Sequence, residues 1–266
     1  MLSIPQIEFH ITHVCNLACD GCTHYSNYVV KGSIPFSIGR DWLTAWSRRV
    51  RPQRFKLLGG EPAIHPELIE YVEYAAELWP DTYRTLTTNG LLLDRYESTL
   101  PEVLHRTQTN LYFTMHFDDP EYIRRFVPIA RKWSKLSRDF GFVFEVGDGR
   151  SHWNKCYLGT GKEMLPFQDG KQRKSWKYCI SKYCMQLHEN RLWKCPCLAY
   201  IGLISRELEL DRNRQWLPYL AYEGIGLDAS DKELRAFLGR KDEFYCTMCP
   251  SEVNEIEKIY LKKEFK

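Results

Sequence analysis

Three cysteines on one short loop constrain this chain more than any other feature. Cys15, Cys19 and Cys22 follow the spacing C-x3-C-x2-C directly after an apolar stretch. Thiolates are the preferred ligands of iron–sulfur clusters, and three of them leave one iron of a four-iron cluster open to a further ligand. A structural zinc site normally supplies four protein ligands, often as paired C-x2-C knuckles. The loop therefore predicts a [4Fe–4S] cluster with an open iron, and three unliganded buried thiols are the less favoured alternative.

The loop and two further motifs each follow a predicted strand. Gln6–Thr12 alternates polar and apolar residues and predicts a strand that ends at the cysteine loop. Arg54–Leu58 runs into Gly59-Gly60-Glu61-Pro62, and Tyr83–Thr87 runs into Thr88-Asn89-Gly90. Paired glycines allow a ligand to approach the backbone, and a carboxylate can accept hydrogen bonds from an ammonium group. Because the carboxyl ends of parallel strands meet at one face, the three motifs are expected to converge.

In their order and spacing these three motifs resemble the radical S-adenosylmethionine (radical SAM) superfamily over roughly residues 1–150. The resemblance implies that the loop cysteines hold the cluster and that the methionine end of SAM chelates the open iron. It also implies that one electron from the cluster breaks the bond between sulfur and C5′, which yields a 5′-deoxyadenosyl radical. The residues that the resemblance assigns to SAM are Gly59, Gly60 and Glu61 for the amino group, and Thr88 and Asn89 for the ribose or carboxylate.

One position departs from the family pattern. The residue before the third cysteine is commonly aromatic in the superfamily and packs near adenine, whereas this chain has Gly21 there. His24 or Tyr25, just beyond the loop, is expected to make that contact instead.

Strands alternate with helices as far as residue 150, which predicts a parallel sheet with right-handed crossovers. The resemblance makes this α/β region, residues 1–155, a partial (β/α)6 TIM-like barrel, in which the sequence leaves the sixth strand unplaced. The further predicted elements are helices at Ile38–Val50, Pro66–Trp79, Asp94–Arg106 and Pro120–Leu136, and strands at Leu111–Phe117 and Phe142–Val146.

Residues 156–266 are rich in cysteine and contain a predicted hairpin at Leu187–Trp193 with its turn at Glu189-Asn190. The region resembles a twitch domain, the shorter form of the SPASM extension, and so implies one auxiliary [4Fe–4S] cluster. Zinc is the alternative metal. The predicted ligands are Cys179, Cys195, Cys246 and Cys249, with Cys184 and Cys197 as alternatives to their neighbours. Cys156 is expected to be an ordinary buried thiol.

Candidates for contact with substrate follow from strand parity and from position near strand ends. They are His116, Asp118, Glu145, Arg150 and His152. Each has a structural alternative, because a buried histidine often belongs to the core and a carboxylate often pairs with an arginine. His10 and His13 are expected to pack around the end of the first strand.

The predicted activity is that of a radical SAM oxidoreductase. The expected reaction is hydrogen abstraction from a small polar substrate of the sugar, aminocyclitol or nucleoside type, completed as a two-electron oxidation when the auxiliary cluster accepts an electron. Modification of a ribosomal peptide by crosslinking, thioether formation or epimerisation is the alternative. It is less favoured because five residues precede the first predicted strand and leave no room for a leader-binding domain. A non-catalytic iron–sulfur or zinc protein is the alternative of another class.

Composition limits the remaining possibilities. The formal net charge of +3 does not predict a nucleic-acid partner, and the start of the chain lacks a signal-peptide pattern. No apolar run is long enough for a membrane span. Ten cysteines without a secretion signal indicate metal ligation in a reducing compartment, so a cytoplasmic location is expected. Flavodoxin or ferredoxin is the expected electron donor.

Overall fold

A computed structural model describes residues 1–29, 31–149 and 155–252. Its centre is a seven-stranded sheet with the order β5-β4-β3-β2-β1-β6-β7. The strands are β1 Leu2–His10, β2 Val50–Leu58, β3 Tyr83–Thr88, β4 Thr109–Met115, β5 Phe144–Asp148, β6 Gln186–His188 and β7 Arg191–Trp193. The helices are α1 Phe36–Ser47, α2 Leu68–Leu78, α3 Leu100–Thr107, α4 Pro120–Phe140, α5 Gln172–Tyr178, α6 Pro196–Ser205, α7 Leu217–Leu220 and α8 Asp231–Gly239.

Strands β1 to β5 are parallel and adjacent in chain order. Helices α1 to α4 each follow one of these strands, which confirms the predicted α/β class with a partial barrel. Across the residues that the structure covers, the sheet stays open and does not close into a full barrel. None of the helices described combines the length and apolarity needed to cross a bilayer.

The two faces of β1 have different environments because successive side chains point to opposite sides of a strand. Ile7 and Phe9 are fully buried on one face, where the Phe9 ring lies 5.7 Å from the ring of Tyr71 on α2. Burial of each such side chain contributes about 1.5–3 kcal/mol. Glu8 and His10 belong to the other face, which is polar. This polar face is the one on which the candidate site lies.

Several element boundaries differ from the sequence prediction, and two of the differences have a clear local cause. The predicted helix Asp94–Arg106 is divided into a 3-10 turn, Leu93–Tyr96, and α3, which begins at Leu100. Pro101 lies in the first turn of α3, where its missing N–H costs nothing, but it cannot continue a helix from the preceding turn. Helix α4 ends at Gly141, whose φ is +78°. Strand β5 therefore begins two residues later than predicted.

The strand that extends the parallel sheet beyond β1 comes from the C-terminal region. Strand β6 pairs in parallel with β1 through Glu8 opposite Gln186 and Phe9 opposite Leu187. The hairpin to β7 turns at Glu189 and Asn190, with φ values of 49° and 56°, which confirms the predicted turn. The predicted domain boundary at residue 155 therefore does not separate two sheets.

A buried polar cluster joins this hairpin and α6 to the barrel face of β1. Gln6 and Gln186 donate hydrogen bonds to the carboxylate of Glu8 at 2.8 and 2.7 Å. The Tyr200 hydroxyl on α6 donates to Gln186 at 2.9 Å, and the Lys56 ammonium lies 3.4 Å from Glu8. Because buried polar groups are costly when unpaired, these bonds fix the C-terminal region against β1.

Candidate active site and cysteine centres

The carboxyl ends of β1 to β4 surround one cavity with about 730 Å³ of empty space, part of it open to solvent. The structure brings together there the three motifs that the sequence predicted to converge. Among the residues that line the cavity are Cys15, Cys19, Cys22, His24, Gly59, Gly60, Thr88, Asn89, Thr114 and His116.

The cysteine loop is held by its neighbours so that its thiols face this cavity. Asn89 donates from Nδ2 to Asn16 Oδ1 at 2.8 Å, and the backbone N–H of Leu17 donates to Cys15 Sγ at 3.4 Å. Burial raises the pKa of Cys15 well above its ordinary value, and it also raises the pKa of Cys22. Such thiols ionise readily only beside a metal cation. The donor set therefore fits an iron–sulfur cluster.

The two glycines are required by close contact between protein backbones. The N–H of Gly60 donates to the carbonyl of Thr12 at 2.7 Å, and that of Glu61 donates to Val14 at 2.8 Å. A Cβ at residue 59 would lie 2.6 Å from the Thr12 oxygen, and one at residue 60 would clash with the Val14 carbonyl. The turn after β2 is thus packed against the segment that leads into the cysteine loop, which positions both motifs.

Glu61 is fully buried and does not line the cavity. Its carboxylate accepts hydrogen bonds from Thr88 Oγ1 at 2.5 Å, from the Asn89 N–H at 2.8 Å and from the Ala63 N–H at 3.0 Å. Burial raises the pKa of Glu61, although these three bonds favour the ionised form. In this structure the carboxylate fixes the loop after β3. Its predicted contact with the SAM amino group stays a prediction.

Replacing Glu61 with glutamine is expected to destabilise this loop, because the amide group would turn its NH2 toward a backbone or hydroxyl donor. Leaving a buried donor unpaired costs about 1–3 kcal/mol, which lowers the melting temperature by several degrees. Thermal unfolding and SAM titration measure the effect. Glu102→Gln, at an exposed position in the first turn of α3, is the matched control. Equal melting temperatures for the two variants would contradict the role of Glu61.

Tyr25 does not line this cavity, and its contact with adenine, for which His24 is the alternative, stays a prediction. Its side chain is fully buried, and its hydroxyl donates to the carbonyl of Cys197 at 3.3 Å, away from the SAM cavity. Its φ of +55° belongs to the left-handed region and turns the chain sharply after the cysteine loop. His24, the alternative, lines the cavity.

Of the predicted substrate contacts, His116 lies at the cavity. It follows β4 directly, and its Nδ1 lies 3.9 Å from Cys19 Sγ. Asp118 is exposed and does not line the cavity. Glu145 is exposed at the second position of β5, opposite Tyr112, and not at the strand end as predicted. Arg150 and His152 lie outside the described residues.

Four histidines pack around one tyrosine beside the cavity. The sequence pointed to three of them, His10, His13 and His24. The rings of His10, His13, His24 and His188 lie 4.7, 4.9, 6.0 and 5.0 Å from the ring of Tyr200. Burial lowers the pKa of His13 to about 3 and those of His24 and His188 to about 4, so these imidazoles are neutral near pH 7. The parity of β1 places His10 with Glu8, but no local signal brings His188 to this point.

The C-terminal cysteines surround two adjoining cavities. One of them lies between α5 and the C-x2-C knuckle, and it is lined by all four predicted ligands, Cys179, Cys195, Cys246 and Cys249. Cys184 lines neither cavity, since its sulfur accepts a hydrogen bond from Gln6 Nε2 at 3.4 Å.

The second cavity contains a thiol that the sequence analysis set aside. Cys156 lines it, and the sulfurs of Cys156, Cys197 and Cys249 all lie within 4.8 Å of one another. Hydrogen bonds from Cys197 and Cys249 lower the pKa of Cys156 to about 6. Cys156 is therefore part of this thiol group and not an isolated core residue. Its sequence distance from the other cysteines gave no signal of this.

The chain is similar in sequence to curated proteins named GTP 3′,8-cyclase. It is 46% identical to that of Microcystis aeruginosa over 107 residues, which are 40% of this chain and 26% of the relative. It is 32% identical to the probable GTP 3′,8-cyclase of Methanopyrus kandleri over 117 residues, 41% of this chain and 34% of the relative. The chain thus matches about a quarter to a third of the length of these relatives. No protein-family model matches it.

Solved structures with low sequence identity are also similar in part. Native anSMEcpe with bound AdoMet matches 55% of this chain and 43% of its own, with a TM-score of 0.43 and 20% identity. BtrN in complex with AdoMet and 2-DOIA matches 54% of this chain and 56% of its own, with a TM-score of 0.39 and 19% identity. These scores are too low to decide the assignment by themselves.

A parallel α/β sheet with three cysteines, a Gly-Gly-Glu turn and a Thr-Asn-Gly loop at one cavity is the arrangement of an enzyme core that binds SAM on an iron–sulfur cluster. Together with the curated relatives, this arrangement supports a radical SAM enzyme. SAM and a [4Fe–4S] cluster are the cofactors that this arrangement fits, with Cys15, Cys19 and Cys22 as the cluster ligands.

Proposed function

We propose that this protein cleaves SAM reductively and uses the resulting radical to oxidise a small polar substrate of the sugar, aminocyclitol or nucleoside type. The observation that carries the proposal is the single cavity shared by the cysteine loop, the Gly59-Gly60 turn, Thr88, Asn89 and His116. The cluster with SAM, when bound, supplies the 5′-deoxyadenosyl radical. The protein's own contribution is to hold the reactants in place and to exclude water from them.

Each residue has a definite task in this proposal. The three thiolates of the cysteine loop hold the cluster, and the backbone of Gly59 and Gly60 lines the part of the cavity that receives the methionine end of SAM. Thr88 and Asn89, which Glu61 fixes in place, contact the ribose or the carboxylate. His116 extends from the end of β4 toward the substrate side, where its imidazole can accept a hydroxyl proton. Arg150 and His152 are further candidates for that base.

The reaction balances as a two-electron oxidation of a carbon that bears hydrogen and hydroxyl. The hydrogen atom leaves the carbon for the 5′-deoxyadenosyl radical, the hydroxyl proton goes to the base, and one electron must leave the substrate radical. We propose that an auxiliary [4Fe–4S] cluster on Cys179, Cys195, Cys246 and Cys249 accepts this electron. The cavity that all four thiols line supports this ligand set.

A nucleoside is the first substrate to test. The curated relatives carry the name of an enzyme that acts on GTP, although they share only part of their length with this chain. Purine nucleotides, sugars and aminocyclitols should be incubated with reconstituted protein, SAM and dithionite. The expected result is 5′-deoxyadenosine together with a substrate product that has lost two mass units. If only peptides yield a product, the protein modifies peptides and this proposal is wrong. If SAM is not cleaved at all, a non-catalytic metal protein is favoured.

Replacing Cys249 with alanine is expected to preserve SAM cleavage and to abolish substrate oxidation, because it removes an auxiliary ligand and leaves the cysteine loop intact. Iron content should fall from about eight to about four per chain, since each [4Fe–4S] cluster holds four irons. Mössbauer spectroscopy and product analysis measure both effects. Cys184→Ala, at a thiol outside both cavities, is the control. Full substrate turnover by Cys249→Ala would contradict the auxiliary role.

A further inference from the structure

The surface beside the C-terminal thiols carries a dense positive charge. Between Gly170 and His188 the chain has five cationic residues and no acidic one. These are Lys171, Arg173, Lys174, Lys177 and Lys182. Their combined charge exceeds the net charge of +3 for the whole chain, in which 37 basic and 34 acidic residues nearly balance. Within the described part of the chain, none of the five forms a salt bridge, although Lys171 and Lys174 interact electrostatically with the carboxylate of Asp169 beside the segment.

Large apolar side chains lie among these cations. Tyr178, Ile180 and Tyr183 are 43%, 52% and 57% exposed. The ammonium groups of Lys177 and Lys182 lie 5.8 Å and 5.4 Å from the rings of Tyr178 and Trp176. Exposed aromatic residues framed by positive charge are typical of protein-binding surfaces. We call the segment 171–183 the basic aromatic face.

The same segment forms the wall of both thiol cavities. Tyr178, Ile180 and Ser181 line one of them, and Trp176 and Lys182 line the other. Cys179 lies in the middle of the segment and is only partly buried, whereas Cys156 and Cys197 lie deeper. A partner that docks on this face therefore contacts the segment that lines both thiol cavities.

We propose that the basic aromatic face is the docking site for an acidic one-electron carrier protein. The carrier takes up the electron that substrate oxidation leaves on the auxiliary centre, so the carrier is reduced by one electron and the centre is oxidised by one. The inference rests on the proposed auxiliary centre. Electron-transfer complexes are small and guided by charge, and the positive charge of this face complements an acidic carrier. A nucleic acid would also match the positive charge, but the position of this face beside the thiol cavities favours a partner that exchanges electrons.

The test compares two triple variants of the full-length reconstituted protein. Arg173→Glu, Lys174→Glu and Lys177→Glu reverse the charge of the face. Arg124→Glu, Arg131→Glu and Lys135→Glu make the same change in charge on exposed positions of α4, which follows β4 at the other end of the sheet. Affinity for a purified acidic flavodoxin is measured by biolayer interferometry at low and at physiological salt.

The face variant is expected to bind flavodoxin at least about tenfold more weakly than the unmodified protein. The α4 variant is expected to bind with an affinity within about twofold of that of the unmodified protein. The unmodified protein itself is expected to bind more weakly as salt rises. Equal affinity of the face variant and the unmodified protein would overturn the inference. Selective loss of binding to a single-stranded oligonucleotide, with flavodoxin binding intact, would overturn it in favour of nucleic acid. Iron content and dithionite-driven SAM cleavage test the proposed function separately, because neither requires the carrier.

Discussion

The Cys19→Ala variant is expected to produce no 5′-deoxyadenosine from SAM. Cys19 is one of three thiols on the loop after β1, and its sulfur faces the cavity beside His116. A cluster with only two thiolate ligands is not retained, so the open iron that SAM needs is lost with it. Iron should fall from about eight to about four per chain if the auxiliary cluster remains. Product analysis with dithionite as reductant and iron determination measure the two effects.

Two further variants separate loss of the cluster from general damage. Cys249→Ala should still cleave SAM, because its sulfur belongs to the C-terminal thiol group. Cys184→Ala should behave as the unmodified protein in both measurements, since its sulfur contacts Gln6 and lines neither thiol cavity. Persistent SAM cleavage by Cys19→Ala would contradict the assignment of the cysteine loop as the cluster site.

Gly60→Ala is expected to weaken SAM binding by more than about tenfold and to destabilise the fold by about 1–3 kcal/mol, as overpacking of a tight contact does. A Cβ at this position would overlap the carbonyl of Val14 and would lie 2.8 Å from the carbonyl of His13. Both obstacles are backbone atoms, so no side chain can rotate away. The segment that leads into the cysteine loop must move instead.

Gly202→Ala is the matched control for this substitution. Gly202 lies within α6, and a Cβ there would meet no atom within 4 Å. Alanine in a helix interior is favoured over glycine by roughly 0.5–1 kcal/mol, so this variant should be at least as stable as the unmodified protein. Calorimetric titration of SAM and thermal unfolding compare the two. A Gly60→Ala variant that binds SAM normally would show that the turn after β2 does not position the site.

The features that the sequence determined by itself are those set by neighbours in the chain. The period of β1, the C-x3-C-x2-C loop, the paired glycines after β2 and the Thr-Asn-Gly loop after β3 each follow from local pattern. Parallel strands bring their carboxyl ends together, so the convergence of these motifs at one cavity could be predicted as well. The turn at Glu189 and Asn190 was equally predictable, because few residues tolerate positive φ without strain.

Tertiary structure alone decided where distant residues meet. Cys156 lies next to Cys249, and His188 lies next to His13, although no local pattern relates either pair. Tyr25, an alternative to His24 for the adenine contact, follows the cysteine loop in a left-handed conformation, and its hydroxyl donates to the carbonyl of the distant Cys197. Backbone period and turn chemistry act over a few residues, whereas these contacts depend on how β6 and α6 pack against β1. That packing is a sum of many burial and hydrogen-bond energies across the chain, and no single segment encodes it.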